Sequence, residues 1–471
     1  MIILDKESKE TLYQQLYCQI KVNILSGIYT SHEKLTGSRT LAKILDISRN
    51  TVDKAYSQLV LEGYITAKTK SGFYVAALPE TFGNTREKIE VNQDIDKKEE
   101  TETQPKVCYD LTNSSHTSNL FPKKMWRKHS LEALDTLEKE EKISSLQNNQ
   151  GELVLREILL TYLQEIRGVH CTVEQIIITS GLQQSLDYLC QIVPKKSQTV
   201  LMEEPGYPKA RVIFENHQLA ITSSELDDKG LVIANHLSQD LDLIYTTPSH
   251  QFPTGVTMPI GRRKELLAFA ETKNAFIVED DYDSELRYYE KPIPALQSID
   301  NLDRVVYLGT FSKALSPSLR MSYMILPKPL LGKFKYHFEQ FNSTVNLLNQ
   351  YTVASILESG DYHRIVRRMN HIFKKRFESF VKAFSVFGHR IKISKNVSGQ
   401  YFLIEFNQKI NQNLMIEKAL EQGVRVYATM EFWQEKASCP DNALFLGISK
   451  IQTEDIHDCV MRLKKAWIDL I

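Results

Sequence analysis

Thr310-Phe-Ser-Lys313 places two hydroxyls, those of Thr310 and Ser312, within three residues of a primary amine, and Arg320 follows seven residues on. An amine in such company can condense with an aldehyde while the hydroxyls and the guanidinium hold a phosphate. Glu279-Asp280-Asp281-Tyr282 adds a carboxylate, Asp280, able to pair a protonated ring nitrogen, and a phenol, Tyr282, able to meet a ring oxygen. Thr179-Ser-Gly-Leu-Gln-Gln184 leads into an apolar helical pattern containing Leu186 and Leu189. The backbone amides of Gly181, Leu182 and Gln183 then form a phosphate cradle at a helix N-terminus. Glu204-Pro-Gly-Tyr207 sets an aromatic ring at a turn, where it suits stacking on a flat heterocycle. Lysine, carboxylate, ring-oxygen donor and phosphate anchors are the four requirements of pyridoxal 5'-phosphate, the expected cofactor. Taken singly, each motif is more often a solvated strand end or turn; the conjunction carries the reading.

The elements that must position these groups are short β-branched runs at 175–179, 197–202, 243–247, 275–279 and 304–309, with amphipathic helical stretches between several of them. That alternation predicts an open, mostly parallel α/β sheet with the chemistry at its strand ends. Beyond Tyr351 the helical patterns lengthen, and two strand-like runs at 399–406 and 443–448 predict a small C-terminal α+β subdomain.

The N-terminal stretch is a different kind of text. Leu12, Leu16, Ile20 and Ile24 recur at four-residue spacing and mark a first helix that Gly27 stops. A second helix is predicted from Arg39 to Leu45 with Ser38 as its N-cap. Ser48 caps a third, whose inward residues are Val52, Ala55, Tyr56 and Leu59. Arg49, Asn50 and Thr51 occupy the first turn of that third helix, where side chains reach base edges and amides meet phosphate. Gly63-Tyr-Ile-Thr66, Lys68, Lys70, Gly72 and Phe73-Tyr-Val75 read as a hairpin wing bringing positive charge to a nucleic-acid backbone.

At 471 residues the chain is long enough for two or three folding units. Boundaries are expected at 1–78 for the helix-turn-helix unit, 79–108 for a flexible linker rich in Glu, Lys, Asn and Thr, and 109–471 for the α/β unit, with 350–471 as its small subdomain. Lys and Arg number 58, as do Asp and Glu, so global charge says nothing about nucleic acid. The six cysteines are scattered, which predicts reduced thiols rather than disulfides or a zinc site, and no metal is expected. The N-terminus lacks a signal-peptide core and no apolar run approaches a membrane span, so a cytoplasmic protein is expected.

The N-terminal unit resembles the GntR family of winged-helix regulators through Lys34-Leu-Thr-Gly-Ser-Arg39, Leu41-Ala42, Ile47-Ser-Arg-Asn-Thr-Val52, Ala55-Tyr56, Leu59, Glu62-Gly-Tyr64 and Gly72. Thr36-Gly37 departs from the family's usual Pro-Ser. Residues 110–471 resemble fold-type I aminotransferases, and the fusion of the two resembles the MocR subgroup. The resemblance implies an operator-binding transcription regulator with a pyridoxal phosphate domain, and a head-to-tail homodimer in which each DNA module lies against the partner's large domain. Its implied DNA contacts are led by Arg39, Arg49 and Asn50, within the wider set that includes Ser38, Ser48, Thr51, Lys68, Lys70 and Gly72. In the pocket it implies a Schiff base on Lys313, the ring held by Asp280 and Tyr282 under Tyr207, and phosphate bound by Thr310 and Arg320. Aminotransferases place Asn before Pro-Thr-Gly to touch the ring oxygen, whereas this chain has Phe252; His250 or Gln251 substitutes, or the contact is missing.

That departure favours a sensor over the alternative, an active aminotransferase with an attached DNA module. The effector is expected to be pyridoxal phosphate itself or an amino compound. GABA-responsive members clamp the ligand carboxylate with arginines at the tyrosine turn and in the C-terminal subdomain. Here the turn carries Lys209, Thr429-Met-Glu-Phe-Trp433 has no arginine, and Arg211 or Arg425 serves only if the fold aims it inward.

Overall fold

The computed structural model describes residues 2–77 apart from 7, 9 and 70, and residues 107–471 apart from 113–119, 290–292 and 395–397. The chain divides into two compact units, residues 1–103 and 104–471. The expected linker at 79–108 lies almost wholly outside the described residues, as does Lys70.

The first unit holds α1 (Leu12–Leu25), α2 (Ser38–Leu45), α3 (Arg49–Leu61), β1 (Ile65–Lys68) and β2 (Gly72–Val75). Thr11 caps α1 in a reciprocal capping box with Gln14, and Leu16, Ile20 and Ile24 enter the core beside Val52, Tyr56 and Leu59 of α3. Ser38 is not the N-cap of α2. Gly37 is, with extended backbone and no side-chain cap bond, so the helix starts one residue early, at the point where Thr36-Gly37 departs from the family pattern. Ser48 caps α3 as expected, its Oγ accepting from the Thr51 amide at 3.2 Å. The wing is an antiparallel hairpin pairing Ile65 with Val75 and Lys68 with Gly72.

The second unit opens with β3 (Tyr109–Asp110), α4 (Lys123–Lys139) and α5 (Leu153–Arg167). An alternating run follows: β4 (Ile176–Thr179), α6 (Leu182–Ile192), β5 (Thr199–Glu204), α7 (Pro208–Asn216), β6 (Ala220–Asp227), β7 (Gly230–Leu231), β8 (Leu243–Thr246), α8 (Ile260–Lys273), β9 (Phe276–Asp281), β10 (Val305–Thr310) and β11 (Ser322–Ile325). These strands form one eight-stranded sheet in the order β4-β11-β10-β9-β8-β5-β6-β7. The pairs from β10 through β6 are parallel, while β11 runs antiparallel between β10 and β4. The predicted run at 197–202 starts two residues late, because Gln198 has φ 55° and breaks the extended backbone.

Three helices, α9 (Lys328–Phe338), α10 (Leu347–Glu358) and α11 (Asp361–Phe384), lead to the C-terminal part. There β12 (Ile391–Ile393), β13 (Tyr401–Phe406), α12 (Gln412–Glu421), β14 (Val424–Arg425), β15 (Tyr427–Ala428), β16 (Ala443–Gly447) and α13 (Ile456–Trp467) complete the chain. The two predicted C-terminal strands are the centre of a four-stranded sheet ordered β12-β13-β16-β15. Among the described residues no helix is long and apolar enough to cross a membrane.

Candidate functional site

In an open α/β sheet the carboxyl ends of parallel strands leave a crevice where side chains from several loops converge. Strand β4 delivers Gly181, β5 delivers Tyr207, β8 leads to the 247–252 loop, β9 carries Asp280 to its end, and β10 hands on to Lys313. The strands themselves are buried runs such as Ile176–Thr179 and Val305–Thr310, so their tips are held rigidly.

The crevice is a cavity of about 380 Å³. Eight of the ten residues expected to hold a cofactor line it: Lys313, Asp280, Tyr282, Tyr207, Leu182, Thr310, Ser312 and Arg320. Gly181 and Gln183 flank it. Gly181 is the N-cap of α6 with φ 110°, and a Cβ there would stand 2.3 Å from Arg320 Nη2, so the close approach of backbone and guanidinium needs glycine. Arg320 also reaches Gln183 Oε1 at 3.5 Å. Thr310 Oγ1 accepts from the Ser312 amide at 3.1 Å and from Ser322 Oγ at 2.9 Å, which pins the turn after β10.

The electrostatics suit a cationic ring and an aldehyde. Asp280 is buried with the Tyr245 hydroxyl donating to Oδ2, and burial pushes its carboxyl up to about 7 although Tyr245 works the other way. A protonated ring nitrogen would supply the positive charge that this carboxylate lacks. Burial holds the Lys313 amine below the usual lysine range; Lys209 nearby adds to this while Asp283 and Asp280 oppose it. A less protonated amine is the nucleophilic form. These features fit pyridoxal phosphate.

Several groups that shape the site escape sequence reading. Arg167 and Asp281 form a fully buried fork, with Arg167 Nε 2.8 Å from Asp281 Oδ2 and Nη2 2.9 Å from Oδ1, across 114 residues of chain. Because alternate residues of β9 face opposite ways, this pair anchors the strand while Asp280 faces the cavity. Glu203 accepts from Thr246 Oγ1, Thr247 Oγ1 and Gln251 Nε2 at 2.6, 2.7 and 3.2 Å and so holds the 247–252 loop. Phe252 packs edge-on against Tyr207, Tyr282, Tyr401 and Phe432. Gln251 is spent on Glu203, Pro205 O and Thr254, which leaves His250, 3.1 Å from the Tyr282 hydroxyl, as the substitute the loop offers.

Neither candidate carboxylate clamp lies in the cavity wall. Arg211 is buried, not on the surface, with Nη2 3.0 Å from Glu204 Oε2, and Arg425 is exposed. Lys209 and Glu431 line the wall instead.

In the first unit Arg39, Arg49, Asn50 and Lys68 are exposed, and Ser38, Thr51 and Gly72 are half-buried. Arg49 Nε lies 3.2 Å from Asp53 Oδ2, and Ser48 Oγ lies 2.8 Å from Thr51 Oγ1 within the cap.

Two family profiles match the chain: "Bacterial regulatory proteins, gntR family" over residues 12–75 and "Aminotransferase class I and II" over 113–437. The HTH-type transcriptional regulator YdeL of Bacillus subtilis is 36% identical over 97% of this chain and 96% of its own length. The HTH-type pyridoxine biosynthesis transcriptional regulator PdxR of Corynebacterium glutamicum is 29% identical over 95% and 94%. Among solved structures, kynurenine aminotransferase of Pyrococcus horikoshii in complex with PMP superposes with a TM-score of 0.70 at 26% identity, covering 79% of this chain and 93% of that one. A GntR-type reading head joined to an aminotransferase fold defines a class of pyridoxal phosphate-binding transcription regulators. This chain belongs to that class, the MocR subgroup of the GntR family.

Proposed function

We propose that the cofactor pocket is the regulator's sensor and that pyridoxal phosphate itself is the signal. The observation that carries this is the cavity's composition: a full set of cofactor-holding groups, but among the described residues no arginine other than Arg320 in its wall. Arg211, one of the two candidate clamps, is tied to Glu204. A relative named for pyridoxine biosynthesis supports the same reading. When bound, pyridoxal phosphate supplies an aldehyde that condenses reversibly with a primary amine. In that site Lys313 offers the amine, Asp280 pairs the ring nitrogen and Tyr282 meets the ring oxygen. Tyr207 covers the ring face, while Arg320, Thr310, Ser312 and the amides of Gly181, Leu182 and Gln183 take the phosphate.

On the DNA side, Arg39, Arg49, Asn50 and Thr51 read the operator, and Ser38, Ser48, Lys68, Lys70 and Gly72 support backbone contacts. The protein works in the cytoplasm as a head-to-tail homodimer. Exposed apolar side chains on and after α4, namely Leu131, Leu134, Ile143 and Leu146, support self-association. Ligand occupancy biases DNA reading only through unequal affinity for two dimer arrangements.

The test is fluorescence anisotropy with an operator duplex selected from random-sequence DNA by the wild-type protein, titrated with pyridoxal phosphate. Wild-type affinity should change by about tenfold, equivalent to about 1.4 kcal/mol of coupling. Lys313→Ala should bind the duplex without responding. An equal response in the variant would overturn the reading.

A further inference from the structure

Phe252 has no hydrogen to donate where aminotransferases carry an amide, yet a hydrogen-bonded cluster fills the space behind Tyr282. The Tyr282 hydroxyl lies 3.1 Å from His250 Nδ1 and 2.8 Å from the Tyr401 hydroxyl. His250 Nδ1 is also 2.9 Å from Asp283 Oδ2, and the side chains of His250 and Asp283 are 3% and 2% exposed. Gly399 seals the cluster: a Cβ there would stand 2.7 Å from His250 Cε1 and 2.8 Å from Asp283 Oδ2.

The direction of these bonds follows from which atoms have partners. His250 Nε2 is buried without a hydrogen-bond partner, whereas Nδ1 faces a carboxylate. The imidazole proton therefore belongs on Nδ1, which makes His250 a donor. A donor at Nδ1 cannot also take the Tyr282 proton. The one Nδ1–H is shared between Asp283 Oδ2 at 2.9 Å and Tyr282 Oη at 3.1 Å, so Tyr282 Oη accepts the longer arm of that bond, and with Tyr401 donating to its second lone pair the Tyr282 O–H is left to point elsewhere. Tyr282 lines the cofactor cavity together with Lys313 and Asp280. Burial, reinforced by Asp283, holds the Tyr282 phenol well above its ordinary range, so it keeps the proton it would donate.

We propose that His250, oriented by Asp283, is a positioning residue that turns the Tyr282 hydroxyl proton toward the ring oxygen of the bound cofactor, the task that Phe252 cannot perform. The charged and titratable groups facing the cluster are Asp280, Asp283, Lys313, Glu203, Tyr288 and Tyr401. Among the groups touching Tyr282 Oη, His250 is the donor whose direction a carboxylate dictates.

A hydrogen bond donated to an ionised ring oxygen draws charge from it and weakens its hold on a neighbouring proton, so losing the donor raises the pH at which that proton leaves. The experiment is a pH titration of the visible absorption of the full-length protein reconstituted with pyridoxal phosphate. His250→Leu should raise the midpoint by about one pH unit. His250→Gln, which keeps an N–H, should return it most of the way, with circular-dichroism melting confirming that both variants fold. An unmoved midpoint in His250→Leu, or an equal rise in His250→Gln, would overturn the proposal. Should His250→Leu fail to fold, Tyr401→Phe removes the other bond to the same oxygen. Its midpoint should rise too, and an unchanged one would refute the assignment.

Discussion

Asp280 shows how burial turns one residue into a binding determinant. Its carboxyl is raised to about 7 because desolvation penalises the charged form, so without a cationic partner the folded protein prefers it protonated. The sign follows by linkage. A carboxyl raised above its unfolded value of about 3.9 contributes stability that is present below that value and is lost as pH rises through about 7. The cofactor-free protein should therefore lose melting temperature between pH 5 and 8 on the order of a few degrees, as expected for roughly 2–3 kcal/mol. Asp280→Asn should make that decline shallower, leaving the share of Glu279, whose carboxyl burial also raises to about 7, and differential scanning calorimetry across the range decides it. The same substitution removes the charge proposed to pair the ring nitrogen, so cofactor affinity should fall by roughly tenfold or more.

At the scale of elements, the proposed phosphate end of the site depends on how β4 turns into α6. Helix α6 begins at Leu182 and Gln183, whose amides, as first-turn donors, have no partner within the helix, and the turn before it brings Gly181 under the Arg320 guanidinium. Gly181→Ala forces a left-handed backbone on alanine and sets a methyl against Arg320. The expected cost is about 1–3 kcal/mol in local strain. Equilibrium urea unfolding should show that loss, and absorption titration should show weaker pyridoxal phosphate binding with the Lys313 chemistry otherwise intact. A variant with wild-type affinity would mean that the phosphate sits elsewhere.

Across the whole molecule, the chain divides into two compact units, each with its own hydrophobic core. Lesions in one should then leave the chemistry of the other in place. Arg49 is exposed on the first turn of α3, with its Nε 3.2 Å from Asp53 Oδ2. Arg49→Ala should abolish sequence-specific operator binding while the reconstituted protein keeps its cofactor absorption and its pH midpoint. Footprints matching wild type would remove Arg49 from the reading head.

Much of this protein was legible in its residues because the governing forces are local. Four-residue apolar spacing marks α1, Ser48 caps α3, and buried β-branched runs mark β4, β5, β8, β9 and β10; these are short-range preferences of backbone and side chain. The lysine, carboxylate, phenol and glycine turn were visible for the same reason, each lying at the end of such a run. Where local signals were weak the sequence misled or was silent: Ser38 looked like a cap, and the antiparallel β11 went unseen. Only the tertiary structure decided that Arg167 meets Asp281, that Arg211 is consumed by Glu204, and that His250, Asp283, Tyr282 and Tyr401 form one cluster. Apart from the short link between Arg211 and Glu204, those contacts join residues tens to more than a hundred positions apart. A buried polar group must find a partner somewhere, but which one it finds is settled by how strands and helices pack, and no periodicity along the chain records that.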